Sequence, residues 1–130
     1  MSDIVYNIDV IEEVYDVATE DVFVVNSFIV SHIVKDIAYN TFPFTLGTIP
    51  NGYLIHKVII KVIDEFDDGF ITIGTDEAQG ILIGPTDCDL TKKAIYINDI
   101  YYNTIALTTY KVFYTGSSTK GQIQVMILYQ

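Results

Sequence analysis

The chain has 130 residues, half of them hydrophobic, which fits one folded domain and excludes a disordered or low-complexity protein. Its 17 acidic residues outnumber 7 lysines, arginine is absent, and the net charge of −10 argues against recognition of nucleic-acid phosphates. A single cysteine, Cys88, excludes an internal disulfide and a multi-cysteine metal site. No apolar run approaches the length of a membrane span, and no signal peptide is predicted.

The residue choice predicts a mostly-β protein. Ile, Val and Thr together account for 47 residues, whereas Leu contributes only 6 and Ala only 5. β-Branched side chains are stiff at χ1 and prefer the pleated surface of a sheet to a helix.

The first 40 residues differ from the rest in charge. Residues 1–36 hold eight acids and one lysine, whereas residues 37–130 hold nine acids and six lysines. The apolar runs 4–11, 14–18 and 22–30 in this part are predicted strands, and a stretch punctuated by proline and glycine follows them. We therefore predict an acidic N-terminal strand or arm segment at 1–40 and a β-sandwich domain at 41–130. The segment either completes the sandwich or docks on a neighbouring subunit by strand addition.

A long strand is predicted from Tyr53 to Phe66. The spacing of Lys57 and Lys61 also fits a helix, but the β-branched content and the turn signal Asp67-Asp-Gly69 favour a strand. The strands predicted after this turn are 70–75, 81–83, 94–97, 107–115 and 122–129.

The last two of these strands flank the polar, glycine-bounded loop 116–121 and predict a hairpin. In the last strand, one face is apolar (Ile123, Val125, Ile127 and Tyr129). The other face (Gln122, Gln124, Met126 and Leu128) is only half polar. Eight or nine short strands at this spacing predict an all-β fold, an antiparallel β-sandwich or jelly roll.

Residues 45–130 resemble the small β-sandwich virion proteins of tailed bacteriophages, of the head-fibre, capsid-decoration and tail-fibre-associated type. The matching pieces are Leu46-Gly-Thr-Ile-Pro-Asn-Gly52, Leu54–Val62, Asp64–Gly69, Ile71-Thr-Ile-Gly-Thr-Asp76 and Val112–Tyr129. The resemblance implies a structural role in the virion, usually as a symmetric oligomer, without catalysis. The abundance of Ile, Tyr, Asn and Lys is also compatible with a crAss-like phage.

A second resemblance covers residues 14–33, which are similar to the C-terminal block of intein and Hint domains. His32 matches the histidine of that block, but Ile33 stands where the cyclising asparagine is required. The half of the domain that holds the nucleophile is absent as well. Splicing is therefore not predicted, and the segment is either a relic or a coincidence of β-rich sequence.

Several side chains are candidates for chemistry. The acidic turn with Asp64, Glu65, Asp67 and Asp68 can seat a hard cation such as Ca²⁺, but it lacks EF-hand spacing. We interpret it as a solvated turn that protects a sheet edge. His32 and His56 have no partner at a spacing typical of catalysis, and Cys88 between two aspartates is expected to be inert. We predict no catalytic residue, no metal site, no cofactor and no enzymatic activity.

Aromatic residues are abundant for so small a domain, with ten Tyr and seven Phe. Tyrosines are typical of protein interfaces and also of glycan sites, and we favour the interface. The predicted interface residues are Tyr96, Tyr101, Tyr102, Tyr110, Tyr114, Phe23 and Phe28.

The function predicted from sequence is a bacteriophage virion structural protein, most simply an auxiliary capsid, head-decoration or head-fibre subunit. Its predicted partners are the major capsid protein or other virion proteins and further copies of itself, with a homotrimer favoured by the resemblance. A receptor- or glycan-binding fibre module and a tail or connector component remain alternatives. No nucleic-acid or membrane partner is expected.

Overall fold

The structure is a computed structural model that describes residues 3–6, 22–25 and 28–130. All regular secondary structure in these ranges is β-strand. The strands are β1 (Asp3–Tyr6), β2 (Val22–Val25), β3 (Phe28–Ala38), β4 (Phe44–Ile49), β5 (Leu54–Asp64), β6 (Phe70–Gly74), β7 (Ile95–Asn103), β8 (Thr108–Thr115) and β9 (Gln122–Tyr129).

The strands form two antiparallel sheets. The larger has the order β1-β7-β5-β9-β3-β2, and the smaller has the order β4-β8-β6. Central strand β5 pairs with β7 on one side and β9 on the other, so two strands distant in sequence flank it. The predicted all-β sandwich is confirmed.

The hydrophobic core lies between the two sheets. From the larger sheet, register places Val58 opposite Ile127 and Ile60 opposite Val125, and all four side chains are fully buried. The smaller sheet contributes the buried residues Leu46, Ile71, Ile73, Tyr110 and Val112. Full burial of an aliphatic side chain stabilises a fold by about 1.5–3 kcal/mol. The β-branched residues that predicted strands thus also fill the interior of the sandwich.

Most predicted strands agree with the observed ones, but three predicted runs differ, and β4 (Phe44–Ile49) lies in the stretch punctuated by proline and glycine, where no strand is predicted. The run 22–30 contains β2 and the start of β3, which pair with each other, and β3 continues to Ala38.

The strand predicted at 94–97 continues to Asn103. The polar residues Asn98, Asp99 and Asn103 disfavour a strand by propensity, but β5 pairs with β7 as far as Asn103, and β1 pairs with it as far as Asn98. The run at 81–83 forms only an isolated bridge, between Ile83 and Ile73. A tight turn in which Thr75 N–H donates to the Ala78 carbonyl (3.0 Å) leaves this run too short for a ladder.

The N-terminal strands lie at both edges of the larger sheet. β1 pairs with β7 at one edge, and β3 with its neighbour β2 forms the other edge beside β9. Of the N-terminal runs predicted as strands, residues 7–21 and 26–27 lie outside the described residues. The intein-like stretch therefore falls in the structure only as β2 and the first part of β3. The division at residue 40 stays a prediction about folding units.

Strand β9 is apolar on both faces at its C-terminal end. Ile123, Val125 and Ile127 point into the core, and Met126 and Leu128 on the opposite face are buried as well. The expectation of one core face and one half-polar face is confirmed. No helix in the described ranges is long and apolar enough to cross a membrane.

Candidate docking surface

A β-bulge distorts the larger sheet near one end. Between the pairs Ile55↔Tyr102 and Lys57↔Asp99, strand β5 has only His56, whereas β7 has Ile100 and Tyr101. Tyr101 has φ = 52°, the left-handed conformation, and it is the one non-glycine with positive φ among the described residues. That conformation costs a residue with a Cβ roughly 1–2 kcal/mol. The bulge leaves the Tyr101 ring 63% exposed, edge-on to the His56 ring at 6.1 Å.

Thr104 fastens two loops together beside this bulge. Its buried hydroxyl accepts a hydrogen bond from Tyr53 N–H (2.9 Å) and lies 2.7 Å from the Pro50 carbonyl oxygen, to which it can donate. Backbone bonds from Gly52 N–H to the Thr104 carbonyl and from Thr104 N–H to the Tyr53 carbonyl complete the junction. The loops that precede β5 and follow β7 are therefore held in one fixed arrangement.

Large apolar side chains project from this junction into solvent. Ile105 is 83% exposed and Leu107 71% exposed, and the Tyr53 ring is also exposed. We call Tyr53, Tyr101, Ile105 and Leu107 the end patch. Large exposed apolar side chains on loops that are held by hydrogen bonds are typical of a binding surface.

The end patch is also free of formal charge. Residues 100–110 and 37–55 contain no Asp, Glu, Lys or Arg, although the chain as a whole carries −10. Charged residues are depleted at the centres of protein interfaces because burying an unpaired charge is costly. The local composition therefore fits a surface that is desolvated on binding.

The predicted interface tyrosines are found in different environments. Tyr101 is exposed, Tyr102 and Tyr114 are half-buried against the core, and Tyr96 and Tyr110 are buried. Burial is the main cause that raises the pKa of Tyr96, Tyr110 and Tyr114. Phe23 and Phe28 lie on β2 and β3. Of the predicted set, only Tyr101 belongs to the end patch.

Sequence reasoning missed Ile105 and Leu107. The sequence does contain an indication of them, because the apolar residues 105–107 lie in a stretch that has no charged residue. Leu107 falls in the predicted strand 107–115, whereas β8 begins at Thr108, and the high apolar content of the whole chain makes this pair indistinct.

The aspartates of the acidic turn are hydrogen-bonded to the loop of the β8–β9 hairpin. Asp68 accepts hydrogen bonds from Ser117 N–H (2.9 Å), Ser117 Oγ–H (2.8 Å) and the Tyr114 hydroxyl (3.1 Å). Asp67 accepts from the backbone N–H (3.2 Å) and hydroxyl (3.1 Å) of Thr119. Hydrogen bonds from Ser117 lower the pKa of Asp68. These carboxylates hold the loop of the β8–β9 hairpin against the β5–β6 turn.

Glycine is required where the same hairpin closes. Gly121 has φ = +133°, and a Cβ there would overlap the Phe66 ring. Phe66 is buried, and it packs against the Tyr114 ring at 5.5 Å. The acidic turn is thus held by ring packing as well as by hydrogen bonds.

The remaining loop aspartates also have local partners. Asp89 accepts from Thr91 N–H (2.9 Å) and Thr91 Oγ1–H (2.6 Å), which lower its pKa. Asp87 accepts from Gly84 N–H (2.7 Å), and Asp76 pairs with Lys111 at 3.0 Å. Among residues 3–6, 22–25 and 28–130, no group of three or more His, Cys, Asp or Glu side chains is arranged to hold a metal ion.

The two histidines and the cysteine lie on different elements. His32 is half-buried on β3, His56 contacts Tyr101 at the bulge, and Cys88 is buried in the loop before β7. The positions of these three side chains give no support for a nucleophile–base pair.

Known proteins share this fold at low sequence identity. No protein-family model matches the chain, and no curated protein matches it either. Among solved structures, it is similar to a chain of the cyanophage Pam1 capsid asymmetric unit, with 14% identity and a TM-score of 0.59. That match covers 77% of this chain and 83% of the other.

A chain of the acidic stable capsid of the Helicobacter pylori bacteriophage KHP30 is also similar, with 14% identity and a TM-score of 0.58. Here the match covers 77% of this chain and 86% of the other. The protein is thus an antiparallel β-sandwich, and chains of two phage capsids have a similar fold.

Proposed function

We propose that this protein is a virion structural protein of a bacteriophage, an auxiliary capsid subunit of the head-decoration or head-fibre type. It binds the shell through the end patch and associates with further copies of itself. The observation that carries the proposal is the uncharged, apolar end patch on a sandwich whose fold recurs in phage capsids.

The fold comparison supports the virion role in a specific way. The matches cover most of both partners, so this chain and each capsid chain are of similar length. A likeness that extends over most of each chain supports a role in the shell better than a match to one short segment would. Fold alone does not define function, so the end patch supplies the second line of support.

Burial of the end patch accounts for the energetics of docking. Ile105 and Leu107 each contribute about 1.5–3 kcal/mol when buried completely, before the entropic cost of association. The Thr104 junction and the bulge at Tyr101 hold the loop before binding, so little ordering entropy is lost on docking. Acids elsewhere on the surface keep the free protein soluble.

The proposed stoichiometry is a homotrimer, supported by the resemblance to phage virion sandwiches. Self-association and shell binding need different surfaces if the subunit does both on one particle. Because the end patch is assigned to the shell, we place self-association along the sides of the sandwich.

Two substitutions on the end patch test the proposal. An Ile105→Ser/Leu107→Ser double variant removes the two most exposed apolar side chains, and Ile81→Ser, which replaces another exposed isoleucine, is the matched control. Each protein is incubated with particles of the encoding phage that lack it, and the bound fraction is measured by co-sedimentation. Light scattering on the free proteins gives their mass.

We expect the double variant to lose particle binding and keep the wild-type mass, while Ile81→Ser retains both properties. If the double variant binds particles as the wild type does, the end patch is not the shell surface. Particles that bind neither the wild type nor the control would overturn the auxiliary-capsid role. A monomeric wild type would overturn the trimer.

A glycan-binding fibre module is a second candidate, favoured by the exposed Tyr101 ring and the exposed Asn103 two residues later. Such a ring can stack on a sugar, and the amide can hydrogen-bond its hydroxyls. A glycan array with wild type and Tyr101→Ala separates the two functions. If the wild type binds the array but not the particles, and Tyr101→Ala abolishes the array binding, the fibre module is favoured.

A further inference from the structure

The turn that leads into β5 contains an asparagine followed by a glycine. Asn51 and Gly52 lie between β4 and β5, and both residues are exposed. Gly52 has φ = +88°, which fits the position of a type II turn that favours glycine. The chain has six asparagines, and each of the other five precedes a residue that carries a Cβ. Asn51 is therefore the one asparagine in the sequence whose following backbone nitrogen has no side chain beside it.

An Asn-Gly pair can deamidate without a catalyst. The glycine backbone nitrogen loses its proton to a base in solution and attacks Cγ of the asparagine side chain. The new N–Cγ bond closes a cyclic imide, the Cγ–Nδ2 bond breaks, and the side-chain nitrogen takes up a proton and leaves as ammonia. Water then opens the imide at either carbonyl and gives aspartate or isoaspartate. Glycine favours the attack because no Cβ crowds its nitrogen.

In the folded protein, the attacking nitrogen is hydrogen-bonded. Gly52 N–H donates to the Thr104 carbonyl oxygen at 2.9 Å. Thr104 N–H in turn donates to the Tyr53 carbonyl oxygen at 2.8 Å, so two backbone hydrogen bonds join the turn to the residue that follows β7. The Gly52 amide must lose its bond before its nitrogen can give up the proton and reach the Asn51 side chain. The reaction therefore requires a local opening of this junction.

The Thr104 side chain closes the same turn. In an ordinary β-turn over residues 50–53, Tyr53 N–H would donate to the Pro50 carbonyl oxygen. Here the Thr104 hydroxyl bridges the two groups, because it accepts from Tyr53 N–H at 2.9 Å and lies 2.7 Å from the Pro50 carbonyl oxygen. Thr104 is only 3% exposed, although the turn that it holds is exposed. A buried side chain thus keeps an exposed turn in the geometry in which the Gly52 nitrogen is bonded.

Deamidation would change both the charge and the length of this turn. Residues 37–55 contain no Asp, Glu, Lys or Arg, so the reaction places a carboxylate in a stretch without formal charge. The isoaspartate product also adds one carbon atom to the backbone between residues 51 and 52. The hydrogen bonds of Gly52 and Tyr53 to Thr104 depend on the length of the turn. The longer backbone therefore does not restore them in their original register.

We propose that Asn51 is a deamidation site controlled by the Thr104 junction, which protects it when closed and exposes it to an irreversible reaction when open. Openings of the junction then accumulate over time as modified protein. The inference does not depend on the proposed virion role. It concerns the support of the end patch, since Tyr53 belongs to that patch and Ile105 directly follows Thr104.

The rate of modification at Asn51 tests the proposal. Full-length wild type, Thr104→Val and Thr104→Ser are incubated folded at mildly alkaline pH, and wild type is also incubated unfolded in guanidinium chloride. Digestion and mass spectrometry follow all six asparagines. Asp68→Asn is the matched control for a general loss of stability, because it weakens a contact at the other end of β5 from Thr104.

In the unfolded chain, Asn51 is expected to be modified before any other asparagine. Folding should slow this reaction by at least about tenfold, because the Gly52 amide is bonded. Thr104→Val should raise the folded rate by about fivefold or more, which corresponds to the loss of one buried hydrogen bond. Thr104→Ser, which keeps the hydroxyl, and Asp68→Asn should both remain within about twofold of the wild-type rate.

Four results would overturn the proposal. Folded wild type that is modified as fast as the unfolded chain would show that the junction gives no protection. A wild-type rate in Thr104→Val, or an equal acceleration by Asp68→Asn, would show that the junction does not control the reaction. Earlier modification of another asparagine in the unfolded chain would contradict the choice of Asn51.

Hydrogen exchange of the Gly52 amide in the wild type provides a measurement that needs no variant. Its protection should match the slowing of deamidation on folding, because both reactions require the same opening. A Gly52 amide that exchanges without protection would overturn the proposal, even if Thr104→Val does not fold.

Discussion

The carboxylate of Asp68 accepts hydrogen bonds from both the backbone N–H (2.9 Å) and the hydroxyl (2.8 Å) of Ser117, 49 residues further along the chain. The Tyr114 hydroxyl adds a donor at 2.9 Å from the Asp68 carbonyl oxygen. This contact joins the β5–β6 turn to the β8–β9 hairpin, so it links both sheets at one end of the sandwich.

We predict that Asp68→Asn lowers stability at neutral pH and that its effect fades in acid. The pKa of Asp68 is lowered from 3.8 in the folded state, so its contribution is complete above about pH 3.8 and is lost as the pH falls through the folded pKa. Urea unfolding of wild type and variant between pH 7 and pH 2.5 measures the difference.

Glu65→Gln is the control for Asp68→Asn, because it removes one charge from the same turn and none of these hydrogen bonds. A wild-type and Asp68→Asn difference that stays constant down to pH 2.5 would contradict the assigned role of the carboxylate.

At position 101, we predict that glycine is more stable than alanine. Tyr101→Gly and Tyr101→Ala both remove the ring, but only alanine retains the penalty of the left-handed conformation. The free energy of unfolding of Tyr101→Gly should be about 1 kcal/mol higher than that of Tyr101→Ala. In a regular strand, the alanine variant is the more stable one. The same pair at Thr109, on a regular part of β8, is expected to show the usual order. Equal stability of the two Tyr101 variants would mean that the bulge relaxes in solution.

Thr104→Val is predicted to destabilise the protein by about 1–3 kcal/mol, because it leaves Tyr53 N–H and the Pro50 carbonyl without the Thr104 hydroxyl. The substitution preserves the shape of the side chain, so the loss reports the hydrogen bonds. Thr109→Val is the control, since its hydroxyl is exposed and lies 3.3 Å from that of Thr48. Chemical denaturation checks both, and an equal effect at the two positions would contradict the junction.

Asn98→Val is predicted to stabilise the protein by about 1–3 kcal/mol, the typical cost of burying an unsatisfied polar group. Asn98 is fully buried opposite Val58, and within the described part of the chain neither polar atom of its side chain has a hydrogen-bond partner. Asn103→Val, an exposed position on the same strand, is expected to change stability by less than about 0.5 kcal/mol. Destabilisation by Asn98→Val would show that its amide is hydrogen-bonded in solution, for instance to a buried water.

The strands were the most predictable part of this protein. The run ending at Phe66 and the closing hairpin were identified from alternation, β-branched content and glycine-bounded turns, all of which act over a few residues. The candidate docking surface was only partly predictable. Tyr101 was predicted as an interface residue because tyrosine is common at interfaces, and its exposure leaves that a prediction, whereas Ile105 and Leu107 resembled every other apolar pair in the chain. Tyr110 was predicted at an interface and lies in the core, since residue type alone does not set burial.

The sequence by itself determined that the chain is β-rich, where most strands begin and turn, and that its charge disfavours nucleic acid. Each of these follows from side-chain stiffness, short-range periodicity or summed charge. Only the tertiary structure decided that β5 lies between β7 and β9, that Asp68 holds a hairpin 49 residues away, and that a bulge leaves Tyr101 exposed. These features depend on which strands pair across long stretches of chain, and local sequence preferences do not encode that choice.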